Sequence, residues 1–181
     1  MKHRFPKIHI AMILASALLL CSCAKHKIKE NIEAMQSKAV VLDTDNMLCL
    51  SNGNADTLRG KTMKFVIYND SSVCKPCLMA HIADWDDIRH NPACRDVDFY
   101  FIFSAQNAEI EKYRKGYNTN DVQIPVFLDT TKVFLNSNPH IPAEWIYHTF
   151  LLDKNNKVIF VGDPLHNPNM EELFYTALAQ K

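Results

Sequence analysis

The chain has 181 residues, 48% of them hydrophobic and 22% charged, and its 20 basic residues balance 20 acidic ones. This length suffices for one domain with a substantial core and is too short for two comfortable ones. The composition is that of a globular protein, which excludes the disordered, collagen-like and multi-span membrane classes.

The first 22 residues have the pattern of an export signal. Lys2, Arg4 and Lys7 form a basic start, and residues 8–20 are almost entirely apolar. An apolar run of this length is short for a membrane span and suits the central region of a signal peptide. We therefore predict a signal peptide at residues 1–22, with an uncleaved anchor as the weaker alternative.

The apolar run ends in Leu20-Cys21-Ser22-Cys23. A leucine three residues before a cysteine, with a small residue directly before that cysteine, resembles the lipobox of bacterial lipoproteins. This resemblance implies that Cys23 is acylated and begins the mature chain, whereas acylation of Cys21 would require cleavage after the bulky Leu20. An ordinary secretory signal remains the alternative. The lipid would anchor the protein in a bilayer of the cell envelope, facing the periplasm or the cell exterior.

Residues 23–38 are expected to be a lipid-anchored tether and residues 39–181 the folded domain. The tether carries Ile28, Ile32 and Met35 at helical spacing. That stripe is too narrow to bury alone, so at most a short amphipathic helix is expected. Removal of the signal leaves 17 basic against 20 acidic residues, and this mildly acidic balance gives no reason to expect nucleic acid binding.

The domain alternates strand-like and helix-like segments. Strands are predicted at residues 39–42, 47–50, 63–68, 97–103, 124–128, 149–152 and 158–161. Helices are predicted at residues 76–89, at 108–115 with an end at Gly116, as a turn at 131–135, and after Asn169 as cap, with Leu173, Phe174, Ala177 and Leu178 facing inward. This order predicts an α/β fold, with a central mixed sheet covered by helices on both faces.

Cys74-Lys75-Pro76-Cys77 lies where an apolar strand is expected to meet the start of a helix. Backbone N–H groups and the macrodipole of a helix N-terminus stabilise a thiolate there. Two intervening residues bring both sulfurs to one helical turn, with Cys74 exposed as the nucleophile and Cys77 shielded as the resolving thiol. Pro76 suits the first turn, and the charge of Lys75 should lower the pKa of Cys74.

Export would place Cys49, Cys74, Cys77 and Cys94 in an oxidising compartment, where disulfides persist. Four cysteines allow three pairings, among which sequence alone cannot choose. The spacing favours the pair Cys74–Cys77. Cys49 and Cys94 are then expected to form a second structural bridge or to be buried free thiols.

Three elements in order carry a family resemblance: Leu58-Arg59-Gly60-Lys61 before a strand, the Cys74–Cys77 motif, and a strand beginning Thr149-Phe150-Leu151-Leu152. Together they resemble the membrane-anchored thioredoxin-like proteins of the TlpA/ResA type, from about residue 47 to the C-terminus. The resemblance implies a thioredoxin-like three-layer sandwich that exchanges disulfides with extracytoplasmic proteins and with a thiol electron donor or acceptor. No organic cofactor is implied, because the thiols carry the electrons.

One position departs from that family. Its members carry a cis-proline just before the Thr-Phe-Leu strand, facing the cysteines, whereas this chain has Tyr147 at that position and Pro142 five residues earlier. A cis bond before a residue other than proline costs about 2.5–4 kcal/mol, so Tyr147 is a poor mimic. Tyr147 and His148 are nevertheless the candidates for redox tuning or substrate contact at this position.

Other functions stay open from the sequence. A silent interaction module could keep the Cys74–Cys77 bond as a structural disulfide, and the missing proline favours this reading. A copper-binding protein could use the same cysteines with His148 or His140, although the copper-delivery members of this fold have three residues between their cysteines. A peroxidase is weaker, because Ile67 occupies the position of the expected proline. No zinc-site spacing follows the motif; His81 could complete a metal site but fits a solvated helical residue better.

Overall fold

The computed structural model describes residues 25–51, 58, 60–70, 81–119 and 124–180. Residues 25–37 are helical and are called α1. Six strands follow: β1 (Leu48–Leu50), β2 (Met63–Asn69), β3 (Val97–Ser104), β4 (Val126–Asp129), β5 (Thr149–Leu152) and β6 (Val158–Val161). The other α-helices are α2 (Asp86–Arg89), α3 (Ile110–Thr119), α4 (Val133–Ser137) and α5 (Pro168–Ala179), and five short 3-10 helices cover Thr44–Asn46, Ile82–Trp85, Pro92–Cys94, Asn107–Glu109 and Trp145–Tyr147. In this part of the chain no helix is both long and apolar enough to cross a bilayer.

The six strands form one mixed sheet in the order β1-β4-β3-β2-β5-β6. The central strands β2, β3 and β4 run parallel, and β1, β5 and β6 pair antiparallel at the two sides. Every residue of β3 is buried, as expected for a parallel strand covered on both faces. The strongly apolar run at residues 97–103 therefore predicted the centre of the sheet.

Helices cover both faces of this sheet. One apolar cluster contains residues of β2 and β3 together with Trp85, Tyr113 and Phe174. These three residues come from the 3-10 helix Ile82–Trp85, from α3 and from α5. The cluster on the other face contains Met35 from α1 and Phe134 from α4. These layers confirm the predicted α/β sandwich with helices on both faces.

The segment expected to be a tether packs against this domain. Met35 of α1 is fully buried in the second cluster, and Ile32 is packed against it. Lys157 Nζ also donates a hydrogen bond to the carbonyl of Ser37 over 3.0 Å. The packed core therefore reaches into residues 32–38, whereas the acylation of Cys23 falls outside the described residues and stays a prediction.

Three predictions of helices and strands were wrong, and in the first two a contact beyond the local segment prevailed over the local signal. Residues 39–42 are not a strand: the amide of Asn138 bonds both backbone groups of Val41, at 2.8 and 2.9 Å, in place of a neighbouring strand. Helix α3 runs through Gly116, because the next residue, Tyr117, is buried and donates its hydroxyl to the carbonyl of Ile124 over 3.0 Å. The final helix is capped by Asn167 rather than Asn169.

Asn167 accepts from the backbone N–H groups of residues 169 and 170 at 3.0 and 3.3 Å, and Pro168 takes the first helical position. The same helix buries Phe174 and Leu178 as predicted but leaves Leu173 53% exposed, against the prediction. The change of cap from Asn169 to Asn167 does not explain why Leu173 is exposed. Leu173 and its neighbour Glu172 are both exposed residues of α5.

Of the two alternatives expected for Cys49 and Cys94, the structure shows free thiols rather than a second disulfide, with Cys94 buried as expected and Cys49 exposed. Cys49 pairs with Phe127, a member of the cluster on one face of the sheet, whereas Cys94 is buried in the cluster on the other face. Directly paired residues of neighbouring strands share a face. The two thiols are therefore separated by the sheet, beyond the reach of a disulfide.

Candidate active site

The predicted nucleophile and its neighbours, Cys74, Lys75, Pro76 and Cys77, lie outside the described residues. The chain enters this segment from Asp70, directly after β2, and leaves it at His81. Both of these flanking residues line the same cleft. The cleft therefore lies beside both ends of the segment that contains the two cysteines.

This cleft has a volume of about 570 Å³ and lies at the carboxyl ends of the parallel strands β2 and β3. Its inner wall is apolar and is formed by Ile67, Ile82, Trp85, Phe101 and Phe103. In open α/β sheets, ligand sites form outside the carboxyl ends of the strands. The cleft thus occupies the edge of the sheet where this architecture supports a site.

His148 is the buried polar residue of the cleft, with 3% of its surface exposed. Its Nε2 lies 3.0 Å from the carbonyl oxygen of Pro142. A carbonyl can only accept, so Nε2 carries the hydrogen and Nδ1 is left as the acceptor in the neutral ring. The ring edge also meets Tyr68 at a centroid distance of 5.2 Å.

Burial is the main influence on His148 and lowers its pKa, against the opposing effects of the Pro142 hydrogen bond, Asp70 and Glu144. The structure thus places His148 in the cleft, and its predicted part in redox tuning or substrate contact stays a prediction. At neutral pH the cleft contains a neutral imidazole that can accept a proton or a hydrogen bond.

The backbone at this position differs from that expected of the family. Trp145–Tyr147 form a 3-10 turn, and no cis peptide bond occurs among the described residues. The carbonyl of His148 accepts from the N–H of Tyr68 over 2.9 Å, which extends the pairing of β2 with β5. The segment is therefore fixed to the central strand by a backbone hydrogen bond.

Tyr147 does not contact the cleft. It is 4% exposed and belongs to the apolar cluster with Met35 on the other face of the sheet. The 3-10 turn directs Tyr147 into the core and away from the described cleft lining, so its predicted part in redox tuning or substrate contact stays a prediction. His148, the next residue, is the one that lines the cleft.

Sequence reasoning missed the role of two neighbouring residues. Trp145 is 73% exposed and Ile146 is 46% exposed, and both line the cleft at its rim. Large apolar side chains with this exposure, side by side and next to a cleft, indicate a contact surface. Two adjacent large apolar residues in a loop before a strand could have indicated a contact surface from the sequence. Only the fold shows that they lie beside the cleft.

Two histidine–aspartate pairs complete the described rim. His81 Nδ1 lies 2.7 Å from an Asp84 carboxylate oxygen, and His166 Nδ1 lies 3.5 Å from one of Asp163. No group of three or more possible metal ligands occurs in the part of the chain that the structure describes. His81 is thus an exposed, paired residue here; His166 comes from the distant C-terminal region, where no local signal marked it.

The sequence identified no buried acid near the cysteines, and the structure describes two buried carboxylates. Asp98 accepts from the N–H of Lys61 over 2.8 Å. Asp129 accepts from the N–H groups of Val133 and Phe134 at 2.9 and 3.0 Å. Neither lines this cleft, and the Asp129 bonds hold the start of α4.

No protein-family model matches the chain. No curated protein matches it either. Among solved structures, it is similar to a thioredoxin-like protein in its oxidised form, at 15% identity and a TM-score of 0.53, over 81% of this chain and 98% of that one. It is also similar to a candidate thiol-disulfide oxidoreductase from Bacteroides vulgatus, at 16% identity and a TM-score of 0.50, over 81% and 94% of the two chains. The sheet order, the two helix layers and these similarities show that the chain has a thioredoxin-like fold.

Proposed function

We propose that this protein is a thiol–disulfide oxidoreductase that acts through Cys74 and Cys77. The observation that carries the proposal is the location of the motif in the chain. The Cys-x-x-Cys sequence begins five residues after the end of the central parallel strand β2 of a thioredoxin-like fold. The described residues on either side, Asp70 and His81, line one cleft. The two structural neighbours named above support the same chemistry by their descriptions.

The reaction requires no group beyond the two thiols. The Cys74 thiolate attacks one sulfur of a substrate disulfide, forms a mixed disulfide and expels the other substrate sulfur as a thiolate. The Cys77 thiolate then attacks the Cys74 sulfur, which releases the second substrate thiol and leaves the Cys74–Cys77 disulfide. Two electrons pass to the substrate, and a thiol electron donor restores the dithiol. The reverse sequence oxidises a substrate dithiol.

The described cleft fits this chemistry. Its apolar inner wall would accept a side chain next to the substrate cystine. The neutral imidazole of His148, held through Nε2 by the Pro142 carbonyl, would present Nδ1 as a proton acceptor for a thiol at the cleft. His148 would in this way favour the thiolate without contributing a permanent charge.

The test is the reduction of a protein disulfide supplied with dithiothreitol, followed for the wild type and for Cys74→Ser and Cys77→Ser. We expect Cys74→Ser to abolish turnover and Cys77→Ser to accumulate a mixed disulfide with the substrate, trapped on Cys74. Cys49→Ser is the matched control and should retain the wild-type rate. Equal rates for all four proteins would contradict the proposal and favour a silent interaction module.

The location of the protein is part of the same proposal. Acylation of Cys23 would attach the chain to a bilayer of the cell envelope and place the cysteines outside the cytoplasm. Labelling of growing cells with a fatty acid analogue should mark the wild type and not Cys23→Ser. Label that persists in Cys23→Ser and is lost in Cys21→Ser would move the lipid to the other cysteine; label on neither would remove the lipoprotein proposal.

A further inference from the structure

The exposed apolar residues of the cleft rim lie next to the start of helix α1. Trp145 and Ile146 are 73% and 46% exposed, and the residue before them, Glu144, accepts a hydrogen bond from Lys27 Nζ over 3.0 Å. This ion pair raises the pKa of Lys27 and lowers that of Glu144. The first turn of α1 is thereby joined to the cleft rim.

The apolar stripe of α1 becomes more exposed toward that same end. Met35 is fully buried, Ile32 is half-buried, and Ile28 is 46% exposed. Ile28 follows Lys27, which is bonded to Glu144, the residue before Trp145 and Ile146. We call these three exposed apolar residues, Ile28, Trp145 and Ile146, the Trp145 surface. Lys25 and Lys29 lie on either side of Ile28 in the sequence.

The length and composition of the preceding chain suggest what covers this surface. Helix α1 is described from residue 25, and the sequence before it contains the apolar run 8–20 and Cys23. Two residues of fully extended chain span at most about 7 Å, so a lipid on Cys23 enters the bilayer close to the first turn of α1. If the apolar run were retained instead, the membrane would still begin within a few residues of this turn.

We propose that the Trp145 surface docks on the interfacial region of the lipid bilayer. Tryptophan is enriched at the membrane–water interface because its ring is apolar and its N–H is polar. Lysines such as Lys25 and Lys29 can lay their apolar stems on the membrane while their ammonium groups reach the lipid headgroups. The docking surface therefore has apolar anchors and cationic neighbours, as a membrane surface requires.

If the protein has the proposed redox function, docking on the bilayer also determines which substrates reach the cleft. Trp145 and Ile146 belong to the cleft rim as well as to the docking surface. Docking would turn the opening of the cleft toward the bilayer. The accessible substrates would then be disulfides in polypeptide segments close to the membrane surface, such as the membrane-proximal parts of anchored proteins.

The test uses the full chain, acylated in a bacterial host and reconstituted into vesicles of phosphatidylethanolamine and phosphatidylglycerol. The chain has two tryptophans, and the other, Trp85, is only 7% exposed. The emission of the wild type and of Trp145→Phe is compared in vesicles with and without bromine atoms on the acyl chains. We expect bromine to quench the wild type and to leave Trp145→Phe almost unchanged, because only Trp145 reaches the lipid.

A matched pair of isoleucine variants refines the result. Ile146→Ser should reduce the bromine quenching of Trp145, whereas Ile159→Ser, at an exposed isoleucine of β6, should not. Equal quenching in the wild type and in Trp145→Phe would overturn the proposal. So would a Trp145 that is shielded from water-soluble acrylamide but not quenched by bromine, because a second copy or a client protein would then cover it.

Failure of this inference can be told apart from failure of the proposed function. Cys74→Ser should abolish disulfide exchange while leaving the bromine quenching unchanged. A chain that floats with the vesicles and exchanges disulfides, yet shows no bromine quenching, would overturn the docking surface alone. A chain that does not float would overturn the membrane anchor and the docking surface together.

Discussion

Replacement of Met35 by alanine tests whether helix α1 belongs to the folded domain. Met35 is fully buried in the cluster that also contains Phe134 and Tyr147, whereas Ile28 of the same helix is 46% exposed. Truncation of a buried methionine to alanine costs about 2–5 kcal/mol, and we expect about 2 because a helix at the end of the domain can shift to fill part of the cavity. Ile28→Ala, the control, should stay within about 0.5 kcal/mol of the wild type.

The assay is urea unfolding of chains that begin at Ala24, followed by circular dichroism. With a urea dependence of about 1–3 kcal/mol per molar, a loss of about 2 kcal/mol lowers the midpoint by about 1 M. The reasoning is refuted if Met35→Ala and Ile28→Ala have the same midpoint. In that case residues 25–38 would be the loose tether that the sequence suggested, and the position of the Trp145 surface beside α1 would lose its basis.

Two further predictions concern titratable groups. Burial raises the pKa of Cys94 to about 11, so at pH 8 its thiolate is about a hundredfold scarcer than that of an ordinary thiol. Iodoacetamide followed by mass spectrometry should therefore label the exposed Cys49 before Cys94, and equal labelling of these two cysteines would contradict this. Burial lowers the pKa of His148 and also that of His140. Between the ordinary pKa near 6.5 and these lower values the unfolded chain binds more protons, so the free energy of unfolding falls as the pH falls. Urea unfolding at pH 7.5 and 5.0 should show a smaller loss of stability for His148→Gln than for the wild type, and an equal loss would refute this role of His148.

Much of the fold could be predicted because its signals are local. The run at residues 97–103, apolar apart from Asp98, favours burial on both faces, which places β3 at the centre of the sheet. The hairpin of β5 and β6 was predicted with its observed bounds, because the polar stretch between the two apolar segments marks the turn. Both features depend on a few consecutive residues.

Two errors in the fold have a different origin, since each depends on a residue distant in the sequence. The amide of Asn138 holds the backbone of Val41 across 97 positions, and this contact replaces the strand expected there. The burial of Met35 depends on cluster partners from α4 and β5. Such contacts leave no periodicity in the local sequence.

The candidate site was only partly predictable for the same reason. His148 was identified by its position before the Thr-Phe-Leu strand, and the structure places it in the cleft. Tyr147 was proposed from the position of the family's proline, but the 3-10 turn at Trp145–Tyr147 directs its side chain into the core. Asp163 and His166 reach the rim only through the path of the chain after β6.

The central claim is tested most directly by the redox potential of the Cys74–Cys77 pair in the whole protein. The pair is equilibrated in glutathione buffers, and its thiols are trapped and counted by mass spectrometry. The account predicts one reversible two-electron couple between about −270 and −120 mV, the range of catalytic Cys-x-x-Cys proteins. A disulfide that stays oxidised below about −300 mV, or two cysteines that never pair, would contradict it and leave a structural or binding role.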